Sequence, residues 1–212
     1  MKNVLVALAG KTDIQSLDAV GYQEVIAVDG GLDLLAGFNV TPTYFIGDRD
    51  SIYSSDKIPD SVKTIFLNRV KDETDFEAAL NLVESLGGDR ITIVGGLQGP
   101  RIDMLLSNIQ VSYEFALKGH KIRFLDAPAS AYILTPEFSI SILGQGRVSV
   151  LSLSPESQVS IKGMEYTYEG VLKNTSSRGI SNSLKKETAG QVSCLSGSIL
   201  VFVPSDSTIS GF

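Results

Sequence analysis

The sequence predicts an α/β N-terminal domain built on a doubly wound, mostly parallel sheet, followed by a C-terminal all-β sandwich or barrel. Three observations carry this. Up to Asp126, short apolar runs alternate with stretches whose apolar residues recur at helical spacing. Beyond Asp126 the helical spacing disappears, and short alternating runs are divided by turn signals at Gly144-Gln145-Gly146, Ser154-Pro155 and Ser196-Gly197. Finally, six aspartates of the first 103 residues stand where an apolar run ends or a helical stretch begins. Those are the places where α/β proteins present side chains to ligand.

The elements follow in order. Val4 to Leu8, Glu24 to Val28, Tyr44 to Ile46, Thr64 to Leu67, Arg90 to Val94 and Lys121 to Leu125 read as strands, the apolar runs between the helical stretches. Phe76 to Leu86 and Met104 to Leu117 read as helices, the second closed by Gly119. Ala127 to Ser130 is the junction, giving domains at 1–126 and 127–212. In the second half Val148 to Leu153, Gln191 to Leu195 and Ile199 to Val203 are the expected core strands, with Cys194 in the core.

Composition narrows the function. A chain of 212 residues with 43% hydrophobic content supports an ordinary packed core. Before the junction 12 basic residues face 18 acidic ones, after it 6 face 6, so the whole net charge of -6 lies in the first half. Such a surface repels a bare polyanion, so no nucleic-acid partner is expected and a nucleotide carrying its own metal fits better. The single cysteine excludes an intrachain disulfide and fits a reducing compartment, the cytoplasm. The apolar opening Val4 to Ala9 is too short to span a bilayer, and no membrane partner is expected.

Four motifs carry the chemistry. Asp48 and Asp50 sit one residue apart after a strand, and two anions that close call for a cation; a polar turn held by an Asx hydrogen bond is the plain alternative. In the segment from Lys71 to Asp75, Asp72 or Thr74 is a plausible helix N-cap, Asp72 is equally readable as a ligand, and Asp75 reaches toward the same metal as Asp48 and Asp50. Asp29 is followed by Gly30 and Gly31, which let backbone amides approach a phosphate or simply make a tight strand-to-helix turn. Gly95, Gly96 and Gly99 precede a helix that Pro100 is suited to start, with Arg101 able to fork onto phosphate oxygens and Asp103 able to orient it or contact a base. Hard carboxylate oxygens of this kind suit Mg²⁺, which then binds substrate phosphates. Gly10-Lys11-Thr12 imitates the end of a phosphate-binding loop but lacks the earlier glycine, and reads as a plain turn. His120 reads as a residue at a helix C-terminus.

Taken in order, the motifs around Asp29, Asp48–Asp50, Asp72–Asp75 with the following Phe76-Glu77-Ala78-Ala79-Leu80, Gly95–Asp103, Gly163–Tyr166 and Ile180–Asn182 resemble those of the thiamine pyrophosphokinases. The resemblance covers both halves of the chain. It implies transfer of the pyrophosphoryl group of ATP to the hydroxyl of thiamine, giving thiamine diphosphate and AMP, in a homodimer. It implies Asp48, Asp50 and Asp75 as Mg²⁺ ligands, Asp29 and Asp72 as acidic positions around nucleotide and metal, and Arg101 with Asp103 beside the nucleotide. Tyr166, Ser181 and Asn182 match thiamine-side positions of the β domain, where an aromatic face suits a thiazolium cation. Met104 stands where many bacterial members have His, and Arg49 where Phe is common. The rival expectations are a Mg²⁺-dependent nucleotide hydrolase or other small-alcohol kinase, and a non-catalytic nucleotide- or thiamine-binding protein.

Overall fold

The computed structural model describes residues 1–48, 58–68, 72–136, 138–186 and 188–212. It divides into two compact units, Met1–Phe115 with Phe124–Asp126, and Ala116–Arg123 with Ala127–Phe212.

In the first unit the strands are β1 (Asn3–Ala7), β2 (Glu24–Val28), β3 (Tyr44–Gly47), β4 (Lys63–Phe66) and β5 (Arg90–Val94). They pair in parallel in the order β5-β1-β2-β3-β4. β1, β2 and β5 each bury four consecutive residues, because helices cover the two faces of a parallel sheet and leave no polar side to alternate with. β4 is the edge strand and its side chains are exposed or half-buried.

The helix α1 (Gly31–Gly37) packs Leu32 and Leu35 against Leu5, Ala7, Val25 and Ala27. Seven residues are too few to show a helical period, so the sequence reading did not resolve it. The helix α2 (Asp75–Ser85) buries Phe76, Ala79, Leu80 and Val83 along one stripe. Thr74 caps it, its side-chain oxygen accepting from the Glu77 amide at 3.1 Å. A Cβ on Gly88 would lie 2.4 Å from Val83 and 3.0 Å from Val4, which sets α2 on the sheet face opposite α1. The helix α3 (Ile102–Leu117) follows β5, and β6 (Lys121–Leu125) follows α3. Gly119, with φ +97°, turns the chain between them, and His120 lies beyond the end of the helix.

The second unit is antiparallel throughout its described pairings. Its strands β7 (Ala129–Leu134), β9 (Arg147–Ser152), β12 (Asn182–Ser183) and β14 (Ile199–Pro204) pair in the order β12-β9-β14-β7. The remaining strands are β8 (Ser139–Leu143), β10 (Glu156–Lys162), β11 (Tyr168–Lys173), β13 (Gly190–Ser196) and β15 (Thr208–Ser210), paired in the order β11-β10-β13-β8-β15. Every second residue points inward: Ile140 and Ile142, Val148 and Val150, Val159 and Ile161, Val192 and Cys194, Ile199, Val201 and Val203 form one core between the two sheets.

Candidate active site

In the first unit the chain lays β2, β3 and β4 to one side of β1 and β5 to the other. Connections leaving β1 and β5 therefore depart in opposite directions, and a crevice opens beyond their carboxyl ends. A cavity of about 350 Å³ occupies this place. Its wall takes Leu8 and Ala9 from the end of β1, Asp29 from the end of β2, Gly95 and Gly96 from the end of β5, Asp75 from the start of α2, and Arg101 with Met104 from the start of α3.

Two of the sequence motifs interlock here. Asp29 holds a left-handed backbone at φ 48°, which Asp tolerates better than most residues, and its amide donates to the Ile46 carbonyl at 3.0 Å. Its carboxylate lies against the Cα of Gly47, where a Cβ would stand 2.2 Å from the Asp29 Oδ1. The glycine that opens the Asp48 motif thus makes room for the aspartate of the neighbouring strand. Gly31 answers a similar demand: a Cβ there would stand 2.0 Å from the Ala7 carbonyl oxygen. Gly30 and Gly31 serve the strand-to-helix packing, and neither is among the described residues of the cavity wall.

With Thr74 as the N-cap of α2, the capping alternative for Asp72 is replaced, because the helix begins at Asp75 and Asp72 stands two residues ahead of the cap position. Asp72 is exposed and precedes the helix. Asp48 is half-buried and immediately follows β3. Asp50 falls outside the described residues, and so does Arg49.

Arg101 sits one residue ahead of α3 and Asp103 in its first turn. The Arg101 guanidinium donates through Nε at 2.9 Å to Oδ1 and through Nη2 at 2.6 Å to Oδ2 of Asp103. Of the two alternatives for Asp103, orienting Arg101 is the one seen. The Arg101 hydrogen bonds hold the Asp103 carboxyl down at about 2, and Asp103 in turn raises the Arg101 guanidinium. Both side chains are exposed, so the pair orients the fork and contributes little to stability.

The donors around this cavity suit a hard cation. Among the described residues no three His, Cys, Asp or Glu side chains gather as a ligand group. Mg²⁺ does not require such a cage, since it keeps several waters and takes one or two carboxylates together with substrate phosphates. Asp29 and Asp75, both on the cavity wall, are donors of that class.

The second unit has a smaller cavity, about 240 Å³, lined by Tyr166 and Asn182 with Tyr168, Arg178 and Ile180 among others. Tyr166 is 70% exposed. Asn182 is buried, and its amide is spent on the chain: Oδ1 accepts from the Tyr166 amide at 3.0 Å and the Ser183 amide at 2.9 Å, and Nδ2 donates to the Tyr166 carbonyl at 2.7 Å. Asn182 therefore fixes the Tyr166 backbone. Ser181 has φ 62°, and its amide donates to the Ser149 hydroxyl at 3.0 Å. Arg178 lies over the Tyr168 ring at 5.3 Å, so this cavity already has a cation on one aromatic face.

Several wall residues escaped sequence reading. Gly10, set aside as a plain turn, lines the first cavity, and a Cβ there would stand 2.1 Å from the Gly95 carbonyl oxygen. Asn108 lines it too, donating to the Gly96 carbonyl at 3.2 Å. The available signal was Asn108 and Ser112 at i and i+4, both buried on the helix that also buries Phe115 and Ala116.

Residues 21–124 match the family described as thiamin pyrophosphokinase, catalytic domain. The thiamine pyrophosphokinase of Bacillus subtilis is 32% identical over 128 residues, which cover 59% of this chain and 56% of that relative. The chain thus aligns with little more than half the length of the curated relative. A crystal structure of thiamine pyrophosphokinase from Bacillus subtilis superposes with a TM-score of 0.80 at 24% identity, covering 97% of this chain and 100% of that one. The thiamin pyrophosphokinase of Candida albicans does so with a TM-score of 0.75 at 16% identity, covering 96% and 90%. At these identities the superpositions speak for the fold.

Proposed function

We propose that this chain, whose residues 21–124 match the thiamin pyrophosphokinase catalytic domain, is a thiamin pyrophosphokinase that transfers the pyrophosphoryl group of ATP to the hydroxyl of thiamine, releasing AMP. The observation that supports this most is the meeting of Asp29, Asp75 and Arg101 on one wall at the strand-order reversal, within the matched residues. Neither a nucleotide hydrolase nor a non-catalytic binder is favoured.

In this reading the first domain, 1–126, binds nucleotide and metal, and the second, 127–212, binds thiamine and forms the homodimer, in the cytoplasm. Asp48, Asp50 and Asp75 hold Mg²⁺, with Asp29 and Asp72 as further acids around it and Asp103 as the residue that aims Arg101. Bound there, Mg²⁺ supplies charge neutralisation to the phosphates of ATP. Arg101 binds phosphate oxygens as a planar fork and stabilises the charge that builds during in-line attack on the β-phosphorus. The apolar wall at Leu8, Val28 and Met104 excludes water, which strengthens these contacts. In the second domain Tyr166 offers its ring face to the thiazolium, Asn182 holds Tyr166 in place, and Ser181 completes that side.

The test is mass spectrometry of the products after incubation with ATP, Mg²⁺ and thiamine. AMP and thiamine diphosphate in equal amounts are expected. ADP or free phosphate as the nucleotide-side product would overturn the proposal.

A further inference from the structure

Behind the first cavity lies a buried carboxylate that no sequence motif singled out. Asp126, 2% exposed, follows β6 within the first unit. Its Oδ1 accepts from the Thr12 hydroxyl at 2.8 Å and from the Gln98 amide nitrogen at 3.1 Å. The same Gln98 nitrogen lies 3.2 Å from Asp13 Oδ2. A single isolated bridge also pairs Lys11 with Gln98. The backbone packs as closely: a Cβ on Gly10 would stand 2.1 Å from the Gly95 carbonyl oxygen and 2.6 Å from that of Gln98.

Gly10, Gly95 and Gln98 line the cavity, whereas Thr12 and Asp126 do not. We propose that Asp126 is a positioning residue of the nucleotide cavity, acting through Gln98 and Thr12 to lock the two loops that form one wall. A carboxylate this buried is retained at a cost unless donors satisfy it, and here the donors come from both loops at once. The polarity of Gln98 is fixed as well. With two carboxylates within reach of its nitrogen, turning the amide over would set its oxygen against theirs. Gln98 therefore meets the ligand with one orientation.

The inference rests on reading this cavity as the ATP site, and the experiment separates the two. Five proteins are compared: wild type, Asp126→Asn, Gln98→Glu, the double variant of these two, and Thr12→Val. ATP affinity is read by calorimetry, and KM for ATP and for thiamine by AMP formation. Gln98→Glu sets a third carboxylate against Asp126 and Asp13, and is expected to weaken ATP about tenfold while moving the thiamine KM less than about twofold. The double variant restores a donor opposite an acceptor, with the polarity reversed, and is expected to recover about half of that loss or more on a logarithmic scale. Thr12→Val, which removes one donor without adding charge, is expected to weaken ATP about threefold and keeps the test decisive if Gln98→Glu fails to fold. A double variant as weak as Gln98→Glu, or a parallel rise in both KM values, would overturn the positioning role. Wild-type protein that binds ATP but forms no AMP would overturn the proposed function instead, and the order of ATP affinities would still decide the role of Asp126.

Discussion

The two cavities are built on opposite principles. In the first, polar side chains arrive one at a time from the ends of different strands and helices, and glycines bring the backbones behind them into contact, as at Gly31 beside Ala7 and Gly10 beside Gly95. In the second, the buried polar residue Asn182 works on its own chain, and the surface it supports is a mostly exposed ring, Tyr166. A charge that must meet a phosphate needs a wall that does not yield. A ring that meets a flat cation needs only its backbone held.

The largest effect should come from the acids assigned to Mg²⁺, Asp75 on the wall of the first cavity and Asp48 just after β3. Asp75→Asn and Asp48→Asn are each expected to lower AMP formation by about 10²-fold or more with the protein still folded, a loss of the size seen when charge stabilisation of a transition state is removed. Near wild-type rates in both would break the distinction between the cavities.

Next is the packing behind them. Gly31→Ala is expected to cost about 1–3 kcal/mol in denaturant unfolding, since its new methyl meets a backbone carbonyl. Gly37, with nothing within 4 Å of a built Cβ, is the internal control, where alanine is expected to be neutral or stabilising by up to about 1 kcal/mol. Equal costs at the two positions would show that close backbone approach is not what the first site depends on.

In the second cavity the effects should separate by residue. Asn182→Ala is expected to destabilise by about 1–3 kcal/mol because it takes away the side-chain partners of the partly buried Tyr166 and Ser183 backbone groups. Tyr166→Ala is expected to leave stability within about 0.5 kcal/mol while raising the thiamine KM severalfold, with the ATP KM unchanged. A thiamine KM indifferent to Tyr166 would remove the ring from the site.

The smallest effect is a titration. Asp103 is expected to take up its proton near pH 2, and Arg101→Met to return the midpoint toward the ordinary value of 3.8. The sign follows from a lowered carboxyl: the fork is complete above 3.8 and is lost only as pH falls through about 2. The Arg101 geometry is therefore expected to be constant across neutral pH, as chemical-shift titration of the two proteins would check.

Most of the strand positions of the first unit were legible because buried parallel strands must be apolar along their whole length, so β2 and β5 begin and end as the sequence reading had them. β1 and β4 each start and end one residue earlier than expected, and their first residues, Asn3 and Lys63, pair in the ladder without being apolar. Aspartate at strand ends was legible for the same reason: nothing else in an apolar run explains it. Gly10, Gln98 and Asp126 were not, because their meaning lies in which loops the sheet order brings together. Nor was the division of labour at Ile180–Asn182, where one amide can serve a ligand or a backbone and only the pairing of its atoms decides.

Cys194 is buried among β-strands, and burial pushes its thiol up to about 11. At neutral pH the sulfur carries almost no thiolate and presents little surface, so alkylating reagents and fluorophore maleimides have nothing to attack. The native chain is in effect a silent background for labelling. A cysteine placed at an exposed position in either unit, Leu143 or Val20 for instance, would take the probe alone, without first deleting the natural one.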